Sequence, residues 1–284
     1  MELLDYLLRF IEEDAPLGDL TSAAIIPDIA CDAVIRAEQG GVVAGLDETV
    51  LLFSHYGVSV KQRIADGNTV RKNDVLLSLN GDAKKILLIE RTALNIIGRM
   101  SGIATQTRKL SDIVSSVNPS CRLAATRKTC PGFQVLDKKA VMIGGGDPHR
   151  MNLSDGILIK DNHLALVPLD IAIAAVKKSS IYKKIEVEAE TTENALLAAK
   201  AGADIIMLDN MSPTQITRTI KELKREGLRE RVIIELSGGI DESSLARFAE
   251  LDVDVISLGV LTHSVRNFSV NLEIIPQITL AFYS

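Results

Sequence analysis

The 284-residue chain has no tryptophan and only three cysteines. Cys31, Cys121 and Cys130 form neither an even disulfide framework nor a metal-binding spacing, which argues against a stapled secreted scaffold and suits a reducing compartment. No apolar run reaches the roughly 18–20 residues that a spanning helix needs. The acidic, amphipathic opening MELLDYLLRFIEEDAP lacks the basic segment and small-residue cleavage site of a signal peptide. The expectation is a cytoplasmic protein with no membrane partner. A basic surplus is missing as well: the formal net charge is -5, which argues against nucleic acid as a ligand. There is no P-loop, no G-x-S-x-G and no dinucleotide fingerprint.

What is present is a large apolar fraction, 46%, with 24% charged residues. That composition fits one barrel of roughly 200–250 residues or two domains. Residues 2–13 read as a helix with Leu3, Leu4, Leu7, Leu8 and Ile11 on one face. From Asp32 to Leu79, short alternating stretches broken by Gly, Asp and Asn predict a small antiparallel β unit with a helix near 46–56. Residues 83–115 have a helical period and predict two helices broken near Ser101-Gly102.

Beyond residue 118 the pattern changes. Six short apolar runs follow: RLAAT (122–126), GILI (156–159), KIEVEAE (184–190), ADIIML (203–208), RVIIEL (231–236) and DVISL (254–258). Helical stretches near 166–179, 192–201, 212–226 and 242–250 separate the later ones. Strands alternating with helices imply βα units and a parallel sheet. Nearly every run ends in polar, charged or glycine-rich residues. That spread fits a (β/α) barrel, whose site is built at the C-terminal ends of its strands, better than an open sheet with one switch point.

The strand ends carry the chemistry. Arg127-Lys128 places two cations after the first strand, suited to carboxylate or phosphate; a solvated strand end is the plainer reading. Gly144-Gly145-Gly146 leads into His149-Arg150, where backbone N–H groups could approach an anion, or simply form a loop. Lys160-Asp161-Asn162-His163 is dense in polar groups, and Asp161 or Asn162 could also cap a helix. Glu186, Glu188 and Glu190 alternate and share a face. Glu188 and Asp209 sit near the ends of adjacent predicted strands, where paired carboxylates suit Mg²⁺ or a developing positive charge; Asp209 could equally belong to a helix cap. Ser237-Gly238-Gly239 and Ser257-Leu258-Gly259 follow the last two strands, where many barrels bind a phosphate. The residues alone therefore describe a cationic barrel mouth with a carboxylate pair and a phosphate cradle. Its ligands should be anionic, and at least one should carry phosphate.

The chain also resembles the quinolinate phosphoribosyltransferase family. The resemblance runs in order through Gly18-Asp19-Leu20-Thr21-Ser22, Glu90-Arg91-Thr92-Ala93-Leu94-Asn95, Ser101 to Thr105, Thr126-Arg127-Lys128-Thr129, Gly144 to Arg150, Leu158 to His163, Glu186-Val187-Glu188, Leu208-Asp209-Asn210, Ser237-Gly238-Gly239 and Leu261 to Ser264. It implies an N-terminal α/β sandwich domain over residues 1–103, joined by the tail 268–284, and an incomplete (β/α) barrel over 104–267. The implied reaction joins quinolinate and phosphoribosyl pyrophosphate into nicotinate mononucleotide, pyrophosphate and CO₂, with Mg²⁺, in NAD biosynthesis.

By the same resemblance, Arg127, His149, Arg150 and Lys160 hold the quinolinate carboxylates, and Arg91 enters from the neighbouring subunit of a homodimer or larger assembly. Lys128, Glu188 and Asp209 are the catalytic set, with Glu188 and Asp209 holding Mg²⁺. Ser237, Gly238, Gly239, Ser257 and Gly259 take the 5′-phosphate. Gln134 departs from the arginine of many relatives, which removes any anion contact from that position. Three other readings remain: a pyrophosphorylase-like paralogue of molybdate-transport operons, against which Lys160-Asp161-Asn162-His163 argues; a nicotinate phosphoribosyltransferase, which needs fewer cations; and a non-catalytic barrel that binds a phosphometabolite.

Overall fold

The computed structural model describes residues 2–276; positions 277–284 of the expected tail lie outside the described residues. In chain order, the first part consists of α1 (Leu3–Asp14), α2 (Leu20–Ile25), β1 (Ala30–Ala37), β2 (Gly41–Val42), α3 (Leu46–His55), β3 (Ser59–Arg63), β4 (Thr69–Val70), β5 (Val75–Asp82) and α4 (Ala83–Val117). There follow β6 (Arg122–Ala124), α5 (Gln134–Ile143), β7 (Ile157–Ile159), α6 (Asp161–Leu164), α7 (Leu169–Ser179), β8 (Ile185–Ala189), α8 (Thr192–Ala201), β9 (Ile205–Asp209), α9 (Pro213–Arg225), β10 (Ile233–Ser237), α10 (Glu242–Ala249), β11 (Val255–Ser257), α11 (Val260–His263) and β12 (Val270–Ile275). The chain divides into two compact units, one running to Thr105 and resuming at Val265, the other spanning Gln106–Ser264.

The first unit is built on an antiparallel sheet of order β12-β1-β5-β3. The last strand pairs with β1 from Asp32↔Ile275 to Ala37↔Val270, so both ends of the sequence meet in one sheet. The α1 helix buries Leu7 and Ile11. Its successor α2 starts where the Asp19 carboxylate accepts from the backbone N–H groups of Thr21 and Ser22 at 3.0 and 3.1 Å, an N-cap that satisfies two otherwise orphaned donors.

The expected break near Ser101-Gly102 does not occur; α4 is one helix of 35 residues. These residues are small because the backbone comes close. A Cβ on Gly102 would lie 2.2 Å from the Arg266 carbonyl oxygen, and one on Gly98 would lie 3.1 Å from that of Phe268. The Ser101 hydroxyl is buried and hydrogen-bonded to the Ala44 N–H and carbonyl at 2.9 and 3.1 Å. A Ser-Gly pair that reads as a breaker is thus a packing face.

The second unit carries a six-stranded sheet of order β6-β11-β10-β9-β8-β7. Every pairing within it is parallel. The end strands β6 and β7 do not pair with each other. Asp147 makes a single parallel bridge beside Ala124, a rudiment of one further strand. The result is an incomplete (β/α) barrel. Side chains alternate across each strand. Val187, Ile206, Leu208, Ile234, Leu236 and Ile256 are all buried, on the opposite strand faces from Glu186, Met207, Glu235 and Ser257. These latter positions line the cavities of the barrel unit.

Candidate active site

A cavity of about 560 Å³ opens at the C-terminal ends of the barrel strands. It gathers Arg127 and Lys128 after β6, His149 and Arg150 before β7, and Lys160 after β7. Glu188 of β8, Asp209 of β9, Ser237-Gly238-Gly239 after β10 and Ser257 of β11 complete its wall. Gly259 does not line it. A Cβ there would meet the Lys128 Cδ at 3.0 Å, so this glycine makes room for the lysine stem. Arg91 does not line it either; it is an exposed residue of α4 in the other unit.

The charges in the cavity divide into paired and unpaired groups. Lys160 is hydrogen-bonded to Glu188. Arg127 and Lys128 are exposed and form no ion pair among the described residues. Arg150 donates to the Gly156 carbonyl at 3.3 Å. Burial and the neighbouring Arg127 guanidinium both lower its pKa from the usual value. Two guanidiniums that repel each other at a cavity wall are stabilised by a multiply charged anion between them.

The Ser237-Gly238-Gly239 turn is built around Asn210. This residue has φ +54°, donates its backbone N–H to the Ser237 carbonyl at 2.9 Å and its side-chain amide to Asp209 at 2.8 Å. Gly238 has φ +83°, and a Cβ there would lie 2.2 Å from Asn210 Oδ1, so no other residue fits without movement. The helix after Asp209-Asn210 is capped by Ser212 and Gln215, which frees the carboxylate of Asp209 for the cavity.

Glu188 and Asp209 end neighbouring strands and offer carboxylate oxygens to the same space. Hard oxygen donors of this number suit Mg²⁺, which uses one or two carboxylates, waters and substrate phosphates. A second acidic group lies deeper. His149 Nε2 is 3.2 Å from Glu235 Oε2 and 3.5 Å from Glu186 Oε2. Burial opposes the charged ring, but hydrogen bonds to Glu186 and Glu235 outweigh it and raise the His149 pKa to about 10. Both carboxylates are almost fully buried, at 4% and 1% exposure. Glu190, expected on their face, is exposed beyond the end of β8.

Two residues escaped the sequence reading. Glu235 sits inside the apolar run RVIIEL; its charge in a buried strand was the available signal. Lys138 lies within α5, a helix that went unrecognised. It is fully buried, and its Nζ donates to the Pro148 carbonyl and to that of Arg150 at 3.2 Å. Burial lowers its pKa to about 8, against the opposing pull of Asp147.

The glycine triplet has no place in the mouth. Gly144 ends α5 and its carbonyl accepts from Arg108 at 3.0 Å. A Cβ on Gly146 would meet Thr107 and Val141 at 2.8 and 2.9 Å. The triplet is a close-packed turn that leads to His149-Arg150. Gln134 donates its side-chain amide to the Met151 carbonyl, so it steadies the same segment from the other side.

An incomplete barrel whose mouth holds unpaired cations, a carboxylate pair and a glycine turn defines an enzyme for anionic, phosphate-bearing substrates. The comparisons narrow this class. Residues 103–273 match the model of the quinolinate phosphoribosyl transferase C-terminal domain, and residues 19–101 match that of its N-terminal domain. The chain belongs to the quinolinate phosphoribosyltransferase family. A probable carboxylating nicotinate-nucleotide pyrophosphorylase of Archaeoglobus fulgidus is 45% identical over 260 residues, covering 92% of this chain and 99% of its own. The protein of the same name from Methanothermobacter thermautotrophicus is 43% identical over 277 residues, covering 96% and 99%. The crystal structure of nicotinate-nucleotide pyrophosphorylase from Ehrlichia chaffeensis superposes with a TM-score of 0.90 at 32% identity, covering 96% of this chain and 99% of that one. The chain is accordingly a phosphoribosyltransferase of NAD biosynthesis. Among the described residues no helix is long and apolar enough to cross a membrane.

Proposed function

We propose that the mouth cavity binds quinolinate against Arg127, His149, Arg150 and Lys160, and phosphoribosyl pyrophosphate along Lys128, Glu188, Asp209, the turn at Ser237–Gly239 and Ser257. The observation that carries this reading is the unneutralised group of Arg127, Lys128 and Arg150 at one wall. A dicarboxylate satisfies two guanidiniums at once; a monocarboxylate leaves one of them facing like charge.

The pyridine nitrogen attacks the anomeric carbon as pyrophosphate leaves. Glu188 and Asp209 face the ribose side and stabilise its developing positive charge. Lys128 lies between substrate and leaving group. Mg²⁺, held by Glu188 and Asp209 with the pyrophosphate, would neutralise the leaving charge. Once the nitrogen is quaternised, the carboxylate next to it leaves as CO₂, and the pair on carbon is stabilised by the adjacent cation until a proton replaces it. The protein acts by positioning and electrostatics rather than by a covalent intermediate.

In this reading the enzyme is a homodimer or larger, with Arg91 reaching a neighbour's mouth. Arg127→Ala tests the substrate assignment. It should abolish quinolinate binding in a calorimetric titration while the unfolding midpoint stays put; an unchanged isotherm removes quinolinate as the ligand. Mixing Arg91→Ala with Arg127→Ala chains should restore part of the activity that each lacks alone. No recovery in co-refolded material would remove the shared site.

A further inference from the structure

His149 has a backbone φ of +54°, a conformation that costs free energy in a non-glycine residue. Three bonds hold it there. Its N–H donates to Asp147 Oδ1 at 2.7 Å, and Lys138 grips the carbonyls of Pro148 and Arg150 on either side. The twist delivers the imidazole to a point where two cavities meet. The mouth cavity and a second cavity of about 660 Å³, at the N-terminal ends of the strands, both count His149, Arg150 and Glu235 in their walls.

The two ring nitrogens have different surroundings. Nε2 faces Glu235 and Glu186, while Nδ1 makes no hydrogen bond among the described residues. The second oxygens of both carboxylates, Glu186 Oε1 and Glu235 Oε1, are buried without a hydrogen-bond partner. A carboxylate pair in that state is costly unless a cation stands beside it.

The proton count decides what Nδ1 can do. A neutral ring that donates from Nε2 to the carboxylates has a bare lone pair on Nδ1 and repels an anion. Only the doubly protonated ring donates from both nitrogens. We propose that Glu235, backed by Glu186, is a positioning residue that keeps His149 doubly protonated, so that Nδ1–H is always available to a substrate carboxylate. The proposal rests on the quinolinate reading and deepens it.

The other charged groups near the ring bear on this balance. Arg127, Arg150, Lys138 and Lys160 oppose a further positive charge. Asp147 and Glu188 favour it, the latter already bonded to Lys160. Glu235 and Glu186 lie closest and prevail. Their role also explains why two glutamates are buried among the apolar residues of β8 and β10.

Two measurements test the proposal. In the unsubstituted protein, imidazole NMR should show His149, assigned by its loss in His149→Asn, protonated up to about pH 9; titration near its ordinary value overturns the proposal without any kinetic data. In steady-state assays, KM for quinolinate should stay flat from pH 6.5 to 8.5 in the unsubstituted enzyme. In Glu235→Gln it should climb with pH, approaching about tenfold per unit once the ring titrates, while KM for phosphoribosyl pyrophosphate does not follow. Glu235→Asp should restore most of the flatness, which a loss of packing alone would not allow. An active enzyme whose Glu235→Gln variant keeps a flat KM overturns the proposal alone. An unsubstituted protein that binds no quinolinate at any pH removes the substrate reading, and the proposal falls with it.

Discussion

The Nζ of Lys138 lies 3.2 Å from the carbonyl oxygen of Arg150, joining a buried helix residue to the backbone of an arginine that lines the mouth cavity. Lys138→Met removes this bond and the one to Pro148. Each orphaned carbonyl should cost about 1–3 kcal/mol. The expected result is a lower urea midpoint together with a raised KM for quinolinate, because the His149-Arg150 segment loses its hold. A lower midpoint with unaltered KM would show that Lys138 serves stability alone.

Stability should vary with pH in a two-part curve. The raised pKa of His149 contributes stability that is fully present below its unfolded value near 6.5 and is lost as pH rises through about 10. Glu186, raised first by burial, contributes with the same sign at lower pH. Lys138 works the other way: its lowered pKa means that a penalty present below about 8 is relieved as pH rises towards 10.5. Unfolding free energy should therefore fall between roughly pH 6.5 and 8, by about 1.4 kcal/mol per unit at the steepest, and then level off. Urea titrations at pH 6.5, 8 and 9.5 measure this; a rise between the first two would contradict the assigned charges.

Gly238→Ala strains the turn at φ +83° and drives a methyl group into Asn210. A cost of about 1–3 kcal/mol is expected. Affinity for phosphoribosyl pyrophosphate should fall by more than affinity for quinolinate, since the displaced turn is the side of the cavity proposed to take the phosphate. Equal losses of both would place the phosphate elsewhere.

The three thiols should separate cleanly. Cys31 and Cys121 are buried and Cys130 is exposed. Burial, helped by Asp254, pushes the Cys121 thiol up to about 12, and a thiol in that state is a poor nucleophile. A thiol reagent at pH 8 should modify one cysteine rapidly in the folded protein and all three in urea. Two fast thiols would mean that one of the buried sites opens on the timescale of labelling.

The barrel strands were legible because buried parallel strands are short, apolar and spaced by helices; four of the six lie within their expected runs, and β9 and β10 reach one residue beyond theirs, to Asp209 and Ser237. The mouth residues were legible for a related reason: polar groups beyond an apolar run have nowhere to go except the strand ends. The single helix α4 was not. Gly98, Ser101 and Gly102 look like breakers in one dimension, and only the Arg266 and Phe268 backbone beside them reveals close packing. Lys138 and Glu235 were hidden too. Glu235 is a charge in an apolar run and Lys138 one of three charges in a row, and their partners, 10 to 86 positions away in sequence, are brought near only by the fold. The glycine triplet misled in the opposite direction, since a tight packing turn and an anion loop draw on the same residue.

The pairing of β12 with β1 has a consequence for synthesis. On the ribosome, the whole of Gln106–Ser264 emerges before Val270–Ile275 does, so the barrel unit has its complete sequence first. Until then β1 keeps one edge unpaired, along the positions from Asp32 to Ala37 that will later receive the final strand. An open edge of that length is a template for pairing with another nascent chain. The last described strand therefore covers the β1 edge and becomes the edge of the sheet in its place, and a stalled or clipped chain ending near Ser264 would leave the β1 edge open.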